Sequence, residues 1–252
     1  PEGTGGGQAG PARLFVELTV LPGGLANGLN FLPSLGIFAL AVVAASVAGS
    51  EFSWGTVVPL FARGADRRAV ILAKLLALAL VTVIWLLATF ILAFVLSAAA
   101  SLIHLGQIPL DWLNFDLVQE LAIGLGRSLL AMLPYLAAAV ALALLFRSPA
   151  IAMAIVLGYI IVEEVGLAAL TALRPMAGGD IGQLIDLVHA AAIGANADRL
   201  TGLNTLALSP LAQGTAIEHP YRAALILVAY TVLFAIIGIL ALQGRDITLR
   251  PA

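Results

Sequence analysis

The 252-residue sequence contains no cysteine and few charged residues. The lack of cysteine excludes disulfides, thiolate metal sites and cysteine nucleophiles. Charged residues make up 10% of the chain and hydrophobic residues 62%, with a mean hydropathy of +1.08, whereas about 25% of a typical soluble domain is charged. No polar block of domain size interrupts the apolar runs. The composition therefore predicts a polytopic membrane protein with a single transmembrane domain.

Sequence signatures of several catalytic classes are also missing. The chain has no G-x-x-x-x-G-K-[ST] nucleotide-binding loop, because the early stretch GTGGGQAG lacks the lysine, a preceding strand and a following helix. His104, His189 and His219 show no H-x-x-x-H or H-E-x-x-H spacing, and no G-x-S-x-G elbow occurs. We therefore expect a chain that is not an enzyme, with no metal, no cofactor of its own and no nucleic-acid partner.

Five stretches are long and apolar enough to cross a bilayer, which needs about 20 apolar residues in a helix. They are residues 31–50, 69–103, 118–146, 150–173 and 221–243. Each is hydrophobic around the whole helix, which favours membrane spans over core helices of a soluble protein. Residues 1–30 and 174–220 are predicted outer loops, and short interfacial or re-entrant helices packed on the outer face are expected in the second.

The distribution of basic residues predicts the orientation of the spans. Residues 51–68, the loop at Arg147 and the tail 244–252 fall on one side, and the segments on the other side carry several acidic residues and few basic ones. The basic side is therefore predicted to be cytoplasmic. We expect a multi-pass protein of the cell inner (cytoplasmic) membrane, in direct contact with the lipid bilayer.

The chain starts at Pro1 in a polar, glycine-rich run, PEGTGGGQAGP, that is typical of an internal loop. This run has neither the basic region nor the apolar region of a signal peptide. We expect the natural chain to begin earlier and to carry at least one further transmembrane helix before Pro1.

The densest cluster of positive charge lies in EFSWGTVVPLFARGADRRAVILAK, from Glu51 to Lys74. Asp66 stands directly before an apolar run, an N-cap position at which a carboxylate accepts hydrogen bonds from unpaired backbone N–H groups. Residues 51–62 are predicted to form a short amphipathic helix that breaks at Gly64. The apolar side chains of this helix would pack on the membrane domain, on headgroups or on a partner protein.

The spacing of Glu51, Gly55-Thr56, Arg63, Arg67 and Lys74 resembles the E-x3-GT, then R-x-x-x-R-x6-K signature of ABC-2 type transporter permeases. In that family the signature marks the cytoplasmic coupling element between the second and third transmembrane helices. A glycine and an aspartate stand where the family usually has proline and serine, and both still suit a turn and a helix cap. The motif covers 24 of 252 residues, and the order of spans, the long outer loop and the short basic tail extend the resemblance to nearly the whole chain.

The resemblance implies an all-α, six-helix ABC-2 (type V exporter-like) transmembrane domain. It implies a permease that pairs with a second permease subunit as a homodimer, docks on two copies of an ABC ATP-binding subunit and exports substrate by alternating access. ATP and Mg would bind that partner subunit. The coupling helix over residues 51–66 and the start of the next span would contact the ATPase through Glu51, Trp54, Gly55, Thr56, Arg63, Asp66, Arg67 and Lys74.

A simpler interpretation assigns the basic residues of this segment only to membrane topology. Arg63, Arg67, Arg68 and Lys74 would then anchor the chain at lipid headgroups or at an acidic partner surface. The glutamate, the Gly-Thr pair and the lysine at family spacing favour the coupling interpretation.

Three ionisable residues, Arg127, Glu163 and Glu164, lie inside predicted spans. Counted from the turn at Arg147 at ~1.5 Å per residue, Arg127 and Glu163 reach depths of roughly 30 and 24 Å. We therefore predict an ion pair between them near the outer leaflet. Such a pair either lines an outer substrate path or is structural, with side chains that reach the interface.

Three further residues have positional interpretations. Pro134 is expected to kink its helix, because proline removes one backbone hydrogen bond. Trp112 and Phe115 suit an aromatic belt at the outer interface.

Two other functions are compatible with the sequence. One is an ion-gradient-driven secondary transporter that uses Glu163 and Glu164, although no pair of interrupted helices in inverted repeats is visible. The other is a membrane scaffold that transports nothing. The apolar spans favour a hydrophobic or amphipathic substrate over a sugar polymer.

Overall fold

The computed structural model describes residues 16, 18–64, 66–110, 113–208 and 219–243. Within these ranges all regular secondary structure is helical. The five long helices are α1 (Gly23–Ser53), α3 (Arg67–Leu105), α4 (Phe115–Phe146), α5 (Pro149–Leu173) and α8 (Pro220–Gln243). The shorter ones are α2 (Val57–Ala62), α6 (Gly179–Ala191) and α7 (Ile193–Leu208), with a 3-10 turn at Arg174–Met176.

The five long helices are each long and apolar enough to cross a membrane. This confirms the predicted all-helical, polytopic class, and the last four predicted spans agree with α3, α4, α5 and α8 to within a few residues. Side-chain caps fix three of these starts. The Asp66 side chain accepts a hydrogen bond from the Arg68 amide at 3.1 Å. In the same way, Asn114 caps α4 through the Leu117 amide at 2.8 Å, and Ser148 caps α5 through the Ile151 amide at 3.4 Å.

The prediction for the first span is wrong at its start, because α1 begins at Gly23 rather than at residue 31. Residues 23–30, assigned to an outer loop, belong to this helix. Gly24 and Gly28 let α1 approach α3 closely, since an added Cβ would overlap Ser97 or Ala93. Small residues four apart commonly permit such close packing of membrane helices. A glycine-rich stretch that suggests a loop is in fact a packing surface.

Helix α4 occupies the centre of the bundle, where it packs against α1, α3, α5, α7 and α8. In the most apolar 18-residue stretch of α4, 67% is buried inside the bundle, compared with 22% for α3 and 17% for α8. The C-terminal half of α4 is rich in buried alanine, and these small side chains let the neighbouring helices approach. The helix runs as one element through the buried Pro134.

Contacts between the helix ends define two ends of the bundle. The Arg147 guanidinium lies 6.0 Å from the centre of the Phe52 ring, and Arg67 donates a hydrogen bond to the Leu242 carbonyl at 2.8 Å. The end of α1, α2, the start of α3, the α4–α5 turn and the end of α8 therefore meet at what we call the inner end. The outer end, opposite, carries α6, α7 and the start of α8.

Helix α7 agrees with the re-entrant alternative rather than the interfacial one. Short interfacial or re-entrant helices were expected on the outer face of residues 174–220, and α7 packs against α1, α4 and α8. Its buried side chains include Asn196, Leu200 and Asn204. This helix enters the bundle between the spans and brings polar groups into it.

Candidate functional site

The inner-end turn, described at residues 54–64 and 66, joins α1 to α3. Gly55 and Gly64 adopt left-handed backbone conformations, with φ of 69° and 80°, which glycine adopts without the steric penalty of a Cβ. Thr56 closes the first bend by donating from its amide to the Glu51 carbonyl at 3.0 Å. The turn thus has a defined conformation, with Asp66 confirmed as the cap that starts α3.

The predicted amphipathic helix over residues 51–62 is wrong in its extent. Residues 51–53 complete α1, and only the six residues Val57–Ala62 form the separate helix α2. Gly55 ends one helix and allows the next to start in a new direction, because its positive φ reverses the chain. Trp54, at the bend, is 76% exposed, and Arg63 is also exposed.

Two of the basic residues near this turn have partners within the protein. Lys74 is buried and forms a 2.8 Å ion pair with Glu51, and its ammonium also donates to the Val47 carbonyl at 3.1 Å. Arg67 donates to Leu242 and lies 5.7 Å from the centre of the Phe61 ring. Glu51 and Lys74, whose spacing suggested a role in coupling, thus form an ion pair that links α1 to α3.

The predicted ion pair between Arg127 and Glu163 is also wrong. Arg127 instead pairs with Glu120 of its own helix at 2.6 Å and donates to Asn204 of α7 at 3.4 Å. The α4 residue that Glu163 reaches is Tyr135, which lies eight residues, or about 12 Å of helix rise, from Arg127. Counting residues from the turn predicts an approximate depth but not which residue of a neighbouring helix a side chain faces.

Glu163 accepts two hydrogen bonds from tyrosine hydroxyls. The donors are Tyr135 at 2.7 Å and Tyr159, one turn earlier on α5, at 2.8 Å. Charge-assisted O–H···O⁻ bonds of this length are among the stronger hydrogen bonds in proteins. The carboxylate is thereby held at the junction of α4 and α5.

A cavity of about 480 Å³ lies beside this carboxylate, between α1, α4, α5 and α7. Its wall includes Tyr135, Glu164, Asp198 and Thr201. Desolvation, followed by the charges of Glu164 and Glu163, raises the pKa of Asp198 from 3.8 to about 6. Because carboxylates face this space, we call it the acidic cavity.

The structure therefore groups the predicted residues differently from the sequence. Glu164 lines the acidic cavity, and Glu163 lies beside it, hydrogen-bonded to Tyr135 of the cavity wall. Arg127 belongs to a separate network with Glu120 and Asn204. In the described part of the chain, no group of three His, Asp or Glu side chains is placed to hold a metal ion.

Sequence reasoning missed the contribution of α7, although the sequence contains a signal for it. Asn196, Leu200 and Asn204 are spaced by four residues and so lie on one face of a helix. All three are buried. Asn204 donates to Ser128 at 3.3 Å, whereas Asp198, on another face, lines the acidic cavity.

The five apolar spans and the charged side chains held among them define a multi-pass α-helical membrane protein. The chain belongs to the family described as "Protein of unknown function (DUF2705)", whose model matches residues 21–248. The match covers all the described spans and the inner-end turn. Comparison with curated proteins and with solved structures gave no match.

Proposed function

We propose that the chain is the membrane-spanning permease subunit of an ATP-binding cassette exporter in the cell inner membrane. The supporting observation is the inner-end turn, which is exposed at Trp54 yet joined to three spans. The Lys74–Glu51 pair links α3 to α1, and the Arg67–Leu242 hydrogen bond links α3 to α8. A protein that pushes on this turn would displace all three helices.

In this proposal an ABC ATP-binding subunit docks on the exposed surface around Trp54 and Arg63. Two such subunits serve a permease homodimer, and they alone bind ATP and Mg. Their closure moves the inner-end turn, and the motion passes through Glu51 and Arg67 to α1, α3 and α8. These helices pack around the central α4, so their displacement switches access between the two membrane faces. The ABC-2 resemblance implies a six-helix, type V exporter-like subunit, of which the five spans would form part.

Site-directed cross-linking tests the docking surface directly. Because the 252 residues contain no cysteine, a Trp54→Cys variant has a single thiol at the turn. A benzophenone maleimide, attached to this thiol in native membranes, inserts on illumination into C–H bonds of a neighbouring protein. It is expected to join the turn to a protein with a nucleotide-binding loop, identified by mass spectrometry. Phe115→Cys, 80% exposed at the outer end, is the matched control and should not capture that protein. Capture of the same protein by both variants, or by neither, would contradict the proposal.

Transport measurements test whether the turn transmits force. Gly55→Pro is expected to abolish ATP-dependent transport, because proline fixes φ near −65° where Gly55 has a φ of 69°. Membrane insertion and dimerisation, followed by native gel electrophoresis, should stay intact. Full transport by the Gly55→Pro variant would contradict a coupling role for the turn.

An ion-gradient-driven transporter is the second candidate, and the acidic cavity is the observation that favours it. Glu164 and Asp198 face that cavity, and Glu163 lies beside it. If the protein is a gradient-driven transporter, Glu163→Gln should abolish transport. If it is an ATP-driven exporter, the same variant should keep transport. The matched control is Glu120→Gln, which removes a carboxylate from the Arg127 network instead.

A further inference from the structure

A second charged cavity lies at the outer end and has the opposite sign. Its volume is about 660 Å³, and its wall is formed by the end of α5, by α6 and α7, and by the start of α8. Three arginines line it, Arg174, Arg199 and Arg222, with a single carboxylate, that of Asp186. We call it the basic cavity.

The charges in this wall do not cancel. Arg174 forms two hydrogen bonds of 2.7 Å with the two oxygens of Asp186, a bidentate pair that neutralises both. Neither Arg199 nor Arg222 forms an ion pair within the described part of the chain. Among the described residues, the cavity thus presents two guanidinium groups that are not paired with a carboxylate, an arrangement that attracts an anion with oxygen acceptors.

The wall is held in place by polar contacts between its helices. The Asn196 amide donates to the carbonyls of Ala190 at 3.1 Å and Ala192 at 2.7 Å, which fixes the α6–α7 junction. His189 contacts the Thr171 hydroxyl of α5 at 3.0 Å, and Arg199 donates to the His189 carbonyl at 3.4 Å. The position of Arg199 is therefore fixed by the fold, which reduces the entropy lost when a ligand binds, whereas Arg222 projects into the cavity from the first turn of α8.

An apolar groove continues from this cavity along α8. The groove has a volume of about 360 Å³ and shares Arg222 and Ala190 with the basic cavity. Its remaining wall is apolar apart from one tyrosine hydroxyl, and it includes Leu187 of α6 and Ile226 and Leu233 of α8. A ligand that fills both spaces must have an anionic head and an apolar chain.

The location of the composite site matches an amphiphile of the bilayer. Arg222 lies at the third position of α8 and Arg174 directly follows α5, so the cations lie at the level where these spans leave the hydrocarbon core. The groove then follows α8, a candidate span, into that core. Basic residues at this level attract anionic headgroups.

We propose that this composite site binds an anionic phospholipid of the outer leaflet, with its phosphate between Arg199 and Arg222 and an acyl chain in the groove. The site is separate from the inner-end turn and from the acidic cavity. It provides a lipid-dependent contact among α6, α7 and α8, whatever the chain transports.

Native mass spectrometry of the delipidated, purified protein tests the head of this site. Phosphatidylglycerol is the probe, and zwitterionic phosphatidylcholine is the comparison lipid. At about 1 kcal/mol per basic residue, the Arg199→Gln/Arg222→Gln double variant should bind phosphatidylglycerol at least ~10-fold more weakly. Arg199→Lys/Arg222→Lys should keep most of the affinity, which guards against a folding defect. The matched control, Arg63→Gln/Arg68→Gln, neutralises two exposed arginines at the inner end. It measures the non-specific attraction of exposed arginines to headgroups, and it should weaken phosphatidylglycerol binding less than Arg199→Gln/Arg222→Gln does.

A second variant distinguishes a lipid from free phosphate. Ala229→Trp fills the groove from an exposed position of α8, so it should weaken phosphatidylglycerol binding and leave binding of inorganic phosphate unchanged. Equal phosphatidylglycerol affinity in the wild type and the Arg199→Gln/Arg222→Gln variant would overturn the proposal. Unchanged phosphatidylglycerol binding by Ala229→Trp, with displacement of the lipid by inorganic phosphate, would show that the site binds free phosphate and overturn the lipid assignment.

Discussion

The two ends of the bundle use their cations in opposite ways. At the inner end, Lys74 has Glu51 and the Val47 carbonyl as partners, and Arg67 has the Leu242 carbonyl. At the outer end, Arg199 and Arg222 face a cavity and form no ion pair with any described carboxylate. A cation whose partners are built into the fold stabilises that fold, whereas one that faces a cavity is available to a ligand. The predictions below test this difference, beginning with the largest effect.

The comparison predicts that loss of the Lys74 ammonium destabilises the fold most. Lys74→Met keeps the apolar stem but leaves Glu51 without its ion pair. Breaking a buried pair costs about 3–5 kcal/mol, and we expect about 3 kcal/mol because the Glu51 side chain is 32% exposed. The measurement is the free energy of unfolding in detergent micelles.

Two controls decide whether this effect belongs to the pair. Arg222→Met removes an outer-end cation and should change the free energy of unfolding by no more than about 0.5 kcal/mol in lipid-free micelles. Adding Glu51→Gln to Lys74→Met should restore part of the loss, because no unpaired carboxylate is left. If Arg222→Met were as destabilising as Lys74→Met, the distinction between the two ends would fail.

A smaller effect is expected from the polar network that α7 carries into the bundle. Asn204→Leu removes the hydrogen bonds to Ser128 at 3.3 Å and to the Gly124 carbonyl at 3.4 Å, and an acceptor for Arg127. Loss of a buried hydrogen bond with its partner left in place costs about 1–3 kcal/mol. We expect about 1.5 kcal/mol, since Arg127 keeps Glu120 as a partner.

Asn27→Leu is the matched change for that experiment. The Asn27 amide donates to the Leu18 carbonyl at 2.8 Å in an exposed position, so its loss should cost no more than about 0.5 kcal/mol. Comparable melting temperatures for the two variants would mean that α7 is not held in the bundle by Asn204.

The spans were predictable because their signal is carried by composition. Runs of apolar residues, with Asp66 as the cap of α3, place the starts of α3, α4 and α5 nearly where the structure has them. The start of α1 was not predictable in this way. Gly24 and Gly28 suggest a loop in the sequence, and only the approach of α3 shows that they permit close packing.

The candidate site was less predictable, because it depends on which helices become neighbours. The ABC-2 spacing drew attention to Glu51 and Lys74, but it does not show that they bind each other. Likewise, the partners of Glu163 are two tyrosines whose positions follow from the packing of α4 against α5. The burial of α7 had a readable signal in the four-residue spacing from Asn196 to Asn204.

The inner-end turn itself should show a modest, purely local effect. Gly55→Ala forces a Cβ into a backbone with a φ of 69°, although no atom lies within 4 Å of that Cβ. The cost is therefore backbone strain alone, about 1 kcal/mol. Gly126→Ala in α4 is the matched control, because its Cβ also meets nothing and alanine favours a helix interior by up to ~1 kcal/mol. The two variants should shift the melting temperature in opposite directions, and a shared direction would contradict the assigned conformation of the turn.

The smallest effect concerns two outer-end carboxylates whose pKa values are shifted in opposite directions. The pKa of Asp198 is raised from 3.8 to about 6, so the folded state binds its proton more tightly than the unfolded state does. The contribution of Asp198 to stability is therefore most favourable below pH 3.8 and falls as the pH rises to about 6. Asp198→Asn should consequently be more stable than the wild type at pH 7, with no such advantage below pH 4.

Asp186 provides the comparison with the reverse sign. The hydrogen bonds from Arg174 hold the pKa of this carboxyl below 3.8, so its contribution is present above that pH and is lost as the pH falls. Asp186→Asn should be less stable than the wild type at pH 7 and should converge with it in acid. Asp186 is exposed, and solvent screening keeps its change small. Asp198 is exposed on one side but desolvated where it lines the acidic cavity, so screening reduces its change only in part. The measurement is the difference in melting temperature from the wild type between pH 4 and pH 8. The two differences must have opposite signs at pH 7, because the Asp198 carboxylate faces other carboxylates whereas the Asp186 carboxylate faces a guanidinium. Differences of the same sign would mean that the acidic and basic cavities do not differ in charge as the structure describes.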